Sequence, residues 1–461
     1  VLGVLVQSLD TGEILYRLNP DTLLVPASNM KVVTVAVAAE RLGWDYRYET
    51  RLEADASTAM TGGTLHGDLF VTGTGDPTIN ARGGDPFAPL RELAVGLRAA
   101  GIHRISGRLV GDDDAFEDER FGEGWAWDDF AFGYAAPVGA LQFHENLVEV
   151  VVRPGTLEGD PASVELRPAG SDLVAVAAVT TGPAGSEAEL SLSRFPGRPE
   201  LVVRGRVPRG GREEVRPAAV DNPTLYFVRA LRRALAEEGI EVTGEAVDID
   251  DLESHGSGGG PAAGSGAGFS GSRVERRVLA RRESPPLAEI ARTLMKASQN
   301  LYAETLFRTL SAKPGPASVG ASRAIVEATL QGWGIAPGQF AIADGSGLSR
   351  LNLLSASTLA RVLRVMALDP RHAAAFAATL PVAGRDGTLA RRLRATAAED
   401  NAAAKTGTLS HVRALSGYVR SREGERLAFS ILANHFTAPA AAVDALVDLA
   451  VERLAHHERS R

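Results

Sequence analysis

From Val1 to Gln7 the chain is an apolar run, Asp10-Thr11-Gly12 carries a turn signal, and alternation resumes from Glu13 to Arg17. That pattern predicts an opening β-hairpin. Ser28 to Leu42 is rich in Ala and Val, follows Pro26 and stops at Gly43, which predicts a helix with Ser28 in its first turn. From Glu49 to Thr72 the pattern is strand-like and ends in the glycine-rich loop Thr72 to Pro77. Leu90 to Ala100 reads as helix, Val138 to Val152 ends in an alternating strand, short valine-rich strands fill 163–207, and Asn222 to Glu238 is an amphipathic helix. His255 to Ser272 is almost wholly Gly, Ala, Ser and Pro, the composition of a flexible loop or linker. Pro285 and Pro286 open a helical tract that reaches Leu310 and is broken near Ser298-Gln299-Asn300. Lys405–Ser410, Ala414–Arg420 and Leu427–Asn434 are three successive strand candidates, and Ala438 to Glu458 closes as a helix.

At 461 residues, 44% hydrophobic and 23% charged, the chain is too long for one core and implies two or three domains. Its 49 basic and 57 acidic residues leave a net charge of −8, with no basic cluster interleaved with aromatics, so nucleic acid is not an expected partner. The absence of cysteine excludes disulfides, thiolate metal sites and a cysteine nucleophile. No run has the length of a membrane span, so at most peripheral membrane association is expected. The first residues look like a strand of the fold and carry no positively charged leader, which suggests a trimmed N-terminus.

Only four of the basic residues are lysine: Lys31, Lys296, Lys313 and Lys405. Arginine stays protonated in a protein whereas a lysine is tunable toward neutrality, so a surviving lysine marks a place where an amine has a chemical task. Two of the four complete short motifs, Ser28-Asn29-Met30-Lys31 and Lys405-Thr406-Gly407-Thr408, with Ser298-Gln299-Asn300 between them. By chance this composition yields Ser-x-x-Lys roughly 0.2 times per chain, Lys-Thr-Gly about 0.03 times and Ser-x-Asn roughly 0.5 times. Each occurs once, in this order, so the joint signal is strong although the middle one alone is weak.

The chemistry these residues support is acyl transfer. Serine is a poor nucleophile unless a base lies within hydrogen-bond reach, and Lys31, three residues on and on the same helical face, supplies one if it is held neutral. Burial and a nearby second cation, for which Lys405 is the candidate, both lower a lysine pKa. A helix N-terminus favours the negative charge that develops there. Glycine at 407 lets a ligand backbone approach, the hydroxyls of Thr406 and Thr408 with the Lys405 ammonium suit a carboxylate, and an edge strand offers N–H groups to an extended peptide. Ser298 offers a hydroxyl for proton transfer and Asn300 an amide to hold substrate. Taken singly, the bland alternatives are a solvated lysine, an ordinary strand start and a helix cap.

Rival constellations are weaker. His144-Glu145-Asn146 lacks the second histidine of a zinc helix, and Asp344-Gly345-Ser346-Gly347 is not a Gly-x-Ser-x-Gly elbow. Asp112-Asp113-Asp114 reads as a solvated turn, since its spacing fails that of a calcium loop. No metal and no organic cofactor is expected.

The three motifs resemble the set of penicillin-binding proteins and class A β-lactamases. The 269 residues between Ser28 and Ser298 leave room for inserted domains, and the chain resembles the class C low-molecular-mass penicillin-binding proteins of the penicillin-binding protein 4 type, the D-alanyl-D-alanine carboxypeptidase/endopeptidases of peptidase family S13. Further segments carry the resemblance: 73–77, 124–129, Ala136-Pro137-Val138, 300–304 and 344–350. It implies an α+β fold with a penicillin-recognising DD-peptidase domain, an antiparallel sheet flanked by helices, at 1–48 and 273–461. It also implies an inserted domain at 49–72 and 159–272, with a third, 73–158, nested within it. Ser28 would be the acylated nucleophile, Lys31 the base, Ser298 and Asn300 the second motif, and Lys405 with Thr406, Gly407 and Thr408 the carboxylate site. The backbone N–H groups of Ser28 and Thr408 would form the oxyanion hole, and Ser346, Leu348, Trp127 and Tyr134 would line the cleft. The expected partners are peptidoglycan stem peptides ending in D-Ala-D-Ala and β-lactam antibiotics, which places the enzyme outside the cytoplasmic membrane, exported with a signal peptide missing from this chain. Two alternatives use the same cleft: a serine β-lactamase, for which no convincing water-activating Glu motif lies between the first two motifs, and a non-catalytic penicillin- or peptidoglycan-binding sensor.

Overall fold

The opening hairpin forms as its alternation predicts, with β1 (Leu2–Ser8) antiparallel to β2 (Ile14–Leu18) in the computed structural model, which describes residues 1–256, 275–312 and 315–459. The linker expected at His255–Ser272 lies, from 257 onward, outside the described residues, as does Lys313. By their contacts the residues separate into two units. The first holds Val1–Arg47, Phe121–Ala126 and Pro285–Arg461, the second Tyr48–Arg120 and Trp127–Ser284.

The first unit is an antiparallel sheet flanked by helices. Its last three strands, β3 (Ala403–Leu409), β4 (Val412–Arg420) and β5 (Arg426–Asn434), are those the alternation predicts, and the sheet order is β2-β1-β5-β4-β3. The two ends of the chain therefore meet in the middle of one sheet, with Val6 opposite Phe429. Strand side chains alternate between faces. Leu5 packs on Ala356 and Ala360, while Val6 joins Leu415, Val419 and Phe429 in a cluster with Val447 and Val451. Those partners lie on α5 (Ala356–Leu368) and α7 (Ala440–Ala455), the helices on opposite faces. The remaining helices are α1 (Met30–Leu42), α2 (Leu287–Ala297), α3 (Asn300–Thr309), α4 (Val319–Gly332) and α6 (Ala373–Thr379). Phe121–Ala126 joins this unit because Trp125 buries its ring and donates from Nε1 to Asp344 Oδ2 at 2.9 Å.

The second unit centres on a five-stranded sheet in the order Ala246–Asp248, Leu109–Asp112, Leu69–Gly73, Glu49–Asp55 and Arg276–Glu283. Two helices, Ala88–Ala99 and Pro223–Glu237, contribute Leu90, Leu93, Leu97, Phe227, Leu231 and Leu235 to its core. Leu109–Asp112 thus pairs with Leu69–Gly73 on one side and with Ala246–Asp248 on the other. Arg276–Glu283, placed by the sequence with the C-terminal half, pairs antiparallel with Glu49–Asp55, so the unit ends near Ser284.

Asp112 and Asp113 are not in a solvated turn, being only 3% and 9% exposed. Asp112 ends a central strand and pairs with Arg276, and Asp113 accepts from the Thr224 hydroxyl. Groups from distant segments pair with carboxylates that the local acidic run alone presents as a surface feature.

Candidate active site

Ser28 does not lie in the first turn of the helix proper. It is the middle residue of a short 3-10 turn, Ala27–Asn29, that runs into α1, and Ala27 before it has φ 47°. A non-glycine residue there is strained and persists only where surrounding contacts impose it. Two contacts do so: Asn29 Nδ2 donates to the Lys405 carbonyl at 3.0 Å, and Gly407 leaves no space for a side chain, since a Cβ would lie 2.7 Å from the Pro26 carbonyl oxygen. The glycine of the third motif thus admits a close approach of this chain's own backbone.

From the first turn of α1, Lys31 points inward, fully buried. Its Nζ donates to Ser28 Oγ at 3.0 Å, to Asn300 Oδ1 at 2.6 Å and to the Ser346 carbonyl at 2.7 Å. Burial pushes its pKa down to about 7, against the pull of the Asp344 and Glu304 carboxylates. Lys405, on β3, is also fully buried and donates to Ser298 Oγ and to the Thr406 carbonyl, each at 2.9 Å. Burial and then the Lys31 charge hold its pKa well below the ordinary lysine value. Desolvation, more than the second cation, therefore tunes Lys31, while the cation acts on Lys405.

Ser298 caps α2 in the left-handed region, φ 57°, and Gln299 caps α3 through Oε1 to Leu301 N at 3.1 Å. This break between two helices aims Ser298 at one lysine and Asn300 at the other. The structure therefore gathers Ser28, Lys31, Ser298, Asn300 and Lys405 from parts of the chain hundreds of residues apart. Thr406, Gly407 and Thr408 follow along β3, the edge strand, where Thr408 is exposed and the Thr406 hydroxyl donates to Thr388 Oγ1 at 2.7 Å. Ser346 is buried and touches the site through its carbonyl, and half-buried Leu348 follows in the same loop. Trp127 and Tyr134 belong to the second unit, where Trp127 stacks on Phe195 and the Tyr134 hydroxyl donates to Asp129 at 2.7 Å.

Sequence reasoning assigned no role to Glu304, Asp344, Asn29 or Thr388. Glu304 is buried one turn after Asn300 on α3, and burial beside Asp344 raises its pKa to about 7. It shares a helix face with Asn300, as positions i and i+4 do, but burial of that face is decided by segments distant in the chain. Asp344 organises its loop by accepting from the N–H groups of Gly347 and Ser349, from Asn352 and from Trp125.

A serine hydroxyl held by a partly neutral amine, beside a second serine held by another amine and an edge strand, can attack an acyl carbon and bind an extended peptide. Comparisons with known proteins agree. A D-alanyl-D-alanine carboxypeptidase of Actinomadura sp. (strain R39) is 36% identical over 452 residues, 95% of this chain and 79% of that one. The D-alanyl-D-alanine carboxypeptidase DacB of Haemophilus influenzae is 28% identical over 443 residues, 95% and 86% of the two chains. The crystal structure of penicillin binding protein 4 from Haemophilus influenzae superposes with a TM-score of 0.83 at 26% identity, covering 99% of this chain and 97% of that one. Its complex with a β-lactam gives 0.78 at 25%, covering 99% and 96%. The family model for the D-Ala-D-Ala carboxypeptidase 3 (S13) family matches residues 1–257 and 265–453, and the chain belongs to that family of serine-type carboxypeptidases.

Proposed function

We propose that this protein cleaves peptidoglycan stem peptides ending in D-Ala-D-Ala, and the peptide bonds of their cross-links, through an acyl-enzyme on Ser28. The contact of Lys31 Nζ with Ser28 Oγ at 3.0 Å carries the reading, because it joins a nucleophile to an amine with a pKa of about 7. Lys31 takes the Ser28 proton as the oxygen attacks, the backbone N–H groups of Ser28 and Thr408 receive the oxyanion, and the Ser298 hydroxyl passes a proton to the leaving nitrogen. Lys405, Thr406 and Thr408 bind the terminal carboxylate, with Gly407 shaping the strand. Water then hydrolyses the ester. Leu348 lines the cleft. A β-lactam acylates the same serine and deacylates slowly, as the β-lactam complex of the Haemophilus influenzae relative supports. Such a substrate places the enzyme outside the cytoplasmic membrane, and among the described residues no helix is long and apolar enough to cross one.

Intact mass after incubation with benzylpenicillin tests this. A stable one-to-one adduct on the wild type, lost in Ser28→Ala, is expected together with release of D-Ala from a D-Ala-D-Ala peptide. Rapid drug loss with no lasting adduct would mark a β-lactamase, and absence of any reaction would remove the reading.

A further inference from the structure

Below the Ser28–Lys31 pair lies a buried carboxylate that the reaction as described does not use. Glu304 is 3% exposed, and both its oxygens are aimed at one turn: Oε1 accepts from Ser346 N at 2.7 Å and Oε2 from Gly345 N at 3.2 Å. The Ser346 carbonyl of the same turn is an acceptor for Lys31 Nζ, at 2.7 Å. The turn is gripped elsewhere as well. Thr34, on α1, donates to the Gly345 carbonyl at 2.6 Å, and a Cβ on Gly345 would lie 2.7 Å from the Ala303 carbonyl oxygen. Asn300, one helical turn before Glu304, also holds Lys31 Nζ.

We propose that Glu304 is a positioning residue for this site, clamping the Gly345–Ser346 turn so that the Ser346 carbonyl holds Lys31 Nζ beside Ser28 Oγ. The inference rests on the reading of Ser28 as nucleophile and Lys31 as base. A neutral apolar residue would fill the same space but leave two buried N–H groups without acceptors. A carboxylate satisfies both and also faces Lys31 with negative charge, as Asp344 does, while Arg308 on α3 and Lys405 on β3 are the cations nearby. Glu304 therefore has two separable effects on Lys31, one of geometry and one of charge.

The test is the second-order rate of benzylpenicillin acylation from pH 5 to 9, with thermal melting as the check on folding. Glu304→Gln keeps the shape, loses one acceptor and removes the charge that favours the Lys31 ammonium. Its rate should fall roughly tenfold to a hundredfold, because small displacements of reacting groups cost that much. Its acid limb should move to lower pH, by an amount set by the fraction of Glu304 that is ionised there. Glu304→Asp keeps the charge but falls one methylene short of the turn, so its rate should fall about tenfold with the limb in place. Thr34→Val, which loosens the same turn without changing charge, should leave the limb unmoved. A Glu304→Asp enzyme acylating at the wild-type rate would overturn the clamp, and a Glu304→Gln loss that is uniform in pH would reduce Glu304 to a structural residue. Should Glu304→Gln not fold, Glu304→Asp alone decides. Adduct formation on Ser28→Ala would instead overturn the underlying assignment, and this inference with it.

Discussion

At the scale of single residues, the site turns on an amine that is buried yet within reach of a hydroxyl. Lys31 has a pKa of about 7 where the ordinary value is 10.5, so above pH 7 it is mostly free to accept the Ser28 proton and below it mostly is not. Acylation should therefore lose about tenfold per pH unit on the acid side of 7, a limb that stopped-flow acylation would show directly. Lys31→Arg keeps the charge but cannot give up its proton, and should slow acylation by roughly a hundredfold to ten-thousandfold while the fold melts normally. An acylation rate near wild type in that variant would exclude Lys31 as the base. The lysines themselves were legible in the sequence because arginine does the ordinary electrostatic work of this chain. Glu304 was not, since one carboxylate on a helix looks the same whether it faces solvent or a buried amine.

Among the elements, the site depends on segments that touch through backbone. Gly347 sits at φ 82°, and a Cβ there would lie 1.9 Å from the Ala27 carbonyl oxygen, so the loop after Asp344 packs directly on the strained residue before Ser28. Gly347→Ala should destabilise the first unit by roughly 2–4 kcal/mol and lower acylation more than melting predicts, because Ala27 moves with Ser28. A variant with unchanged melting and unchanged acylation would show that the contact carries no strain. The strands and most helices could be read from periodicity, and the break at Ser298 from its turn-favouring residues. The 3-10 turn at Ala27–Asn29 could not, because its cause is a carbonyl on Pro26 and an amide on Asn29 meeting a strand from residues 403–409.

Across the whole molecule, the two units respond to pH in opposite directions. In the second, the carboxylates of Asp113, Asp248 and Asp250 lie within 4.8 Å of one another, with Asp118 and Arg120 as charged neighbours and Thr224 and Asn222 as hydrogen-bond donors. Burial first, then mutual repulsion, raises Asp113 and Asp250 to about 7 from an ordinary value of 3.8. The folded unit therefore binds more protons than the unfolded chain between about pH 4 and 7, and its stability falls as pH rises through that window. Asp113→Asn retains an acceptor for Thr224 and removes one charge, so it should raise the melting temperature at pH 8 by roughly 2–6 °C and much less at pH 5. An equal or opposite difference at the two pH values would refute the assignment. In the first unit, Lys31 and Lys405 have lowered values, so their contribution runs the other way, rising with pH above 7. Sequence alone determined the three motifs, their order, the hairpin, the closing strands and the family they resemble, because periodicity and rare residue types are local properties. Tertiary structure alone decided that residues 276–283 pair with 49–55, that Asp112 and Asp113 are buried, and that Glu304 reaches the Lys31 loop. Alternation identifies a strand without naming its partner, and burial of a charge depends on groups brought to it from distant positions in the chain.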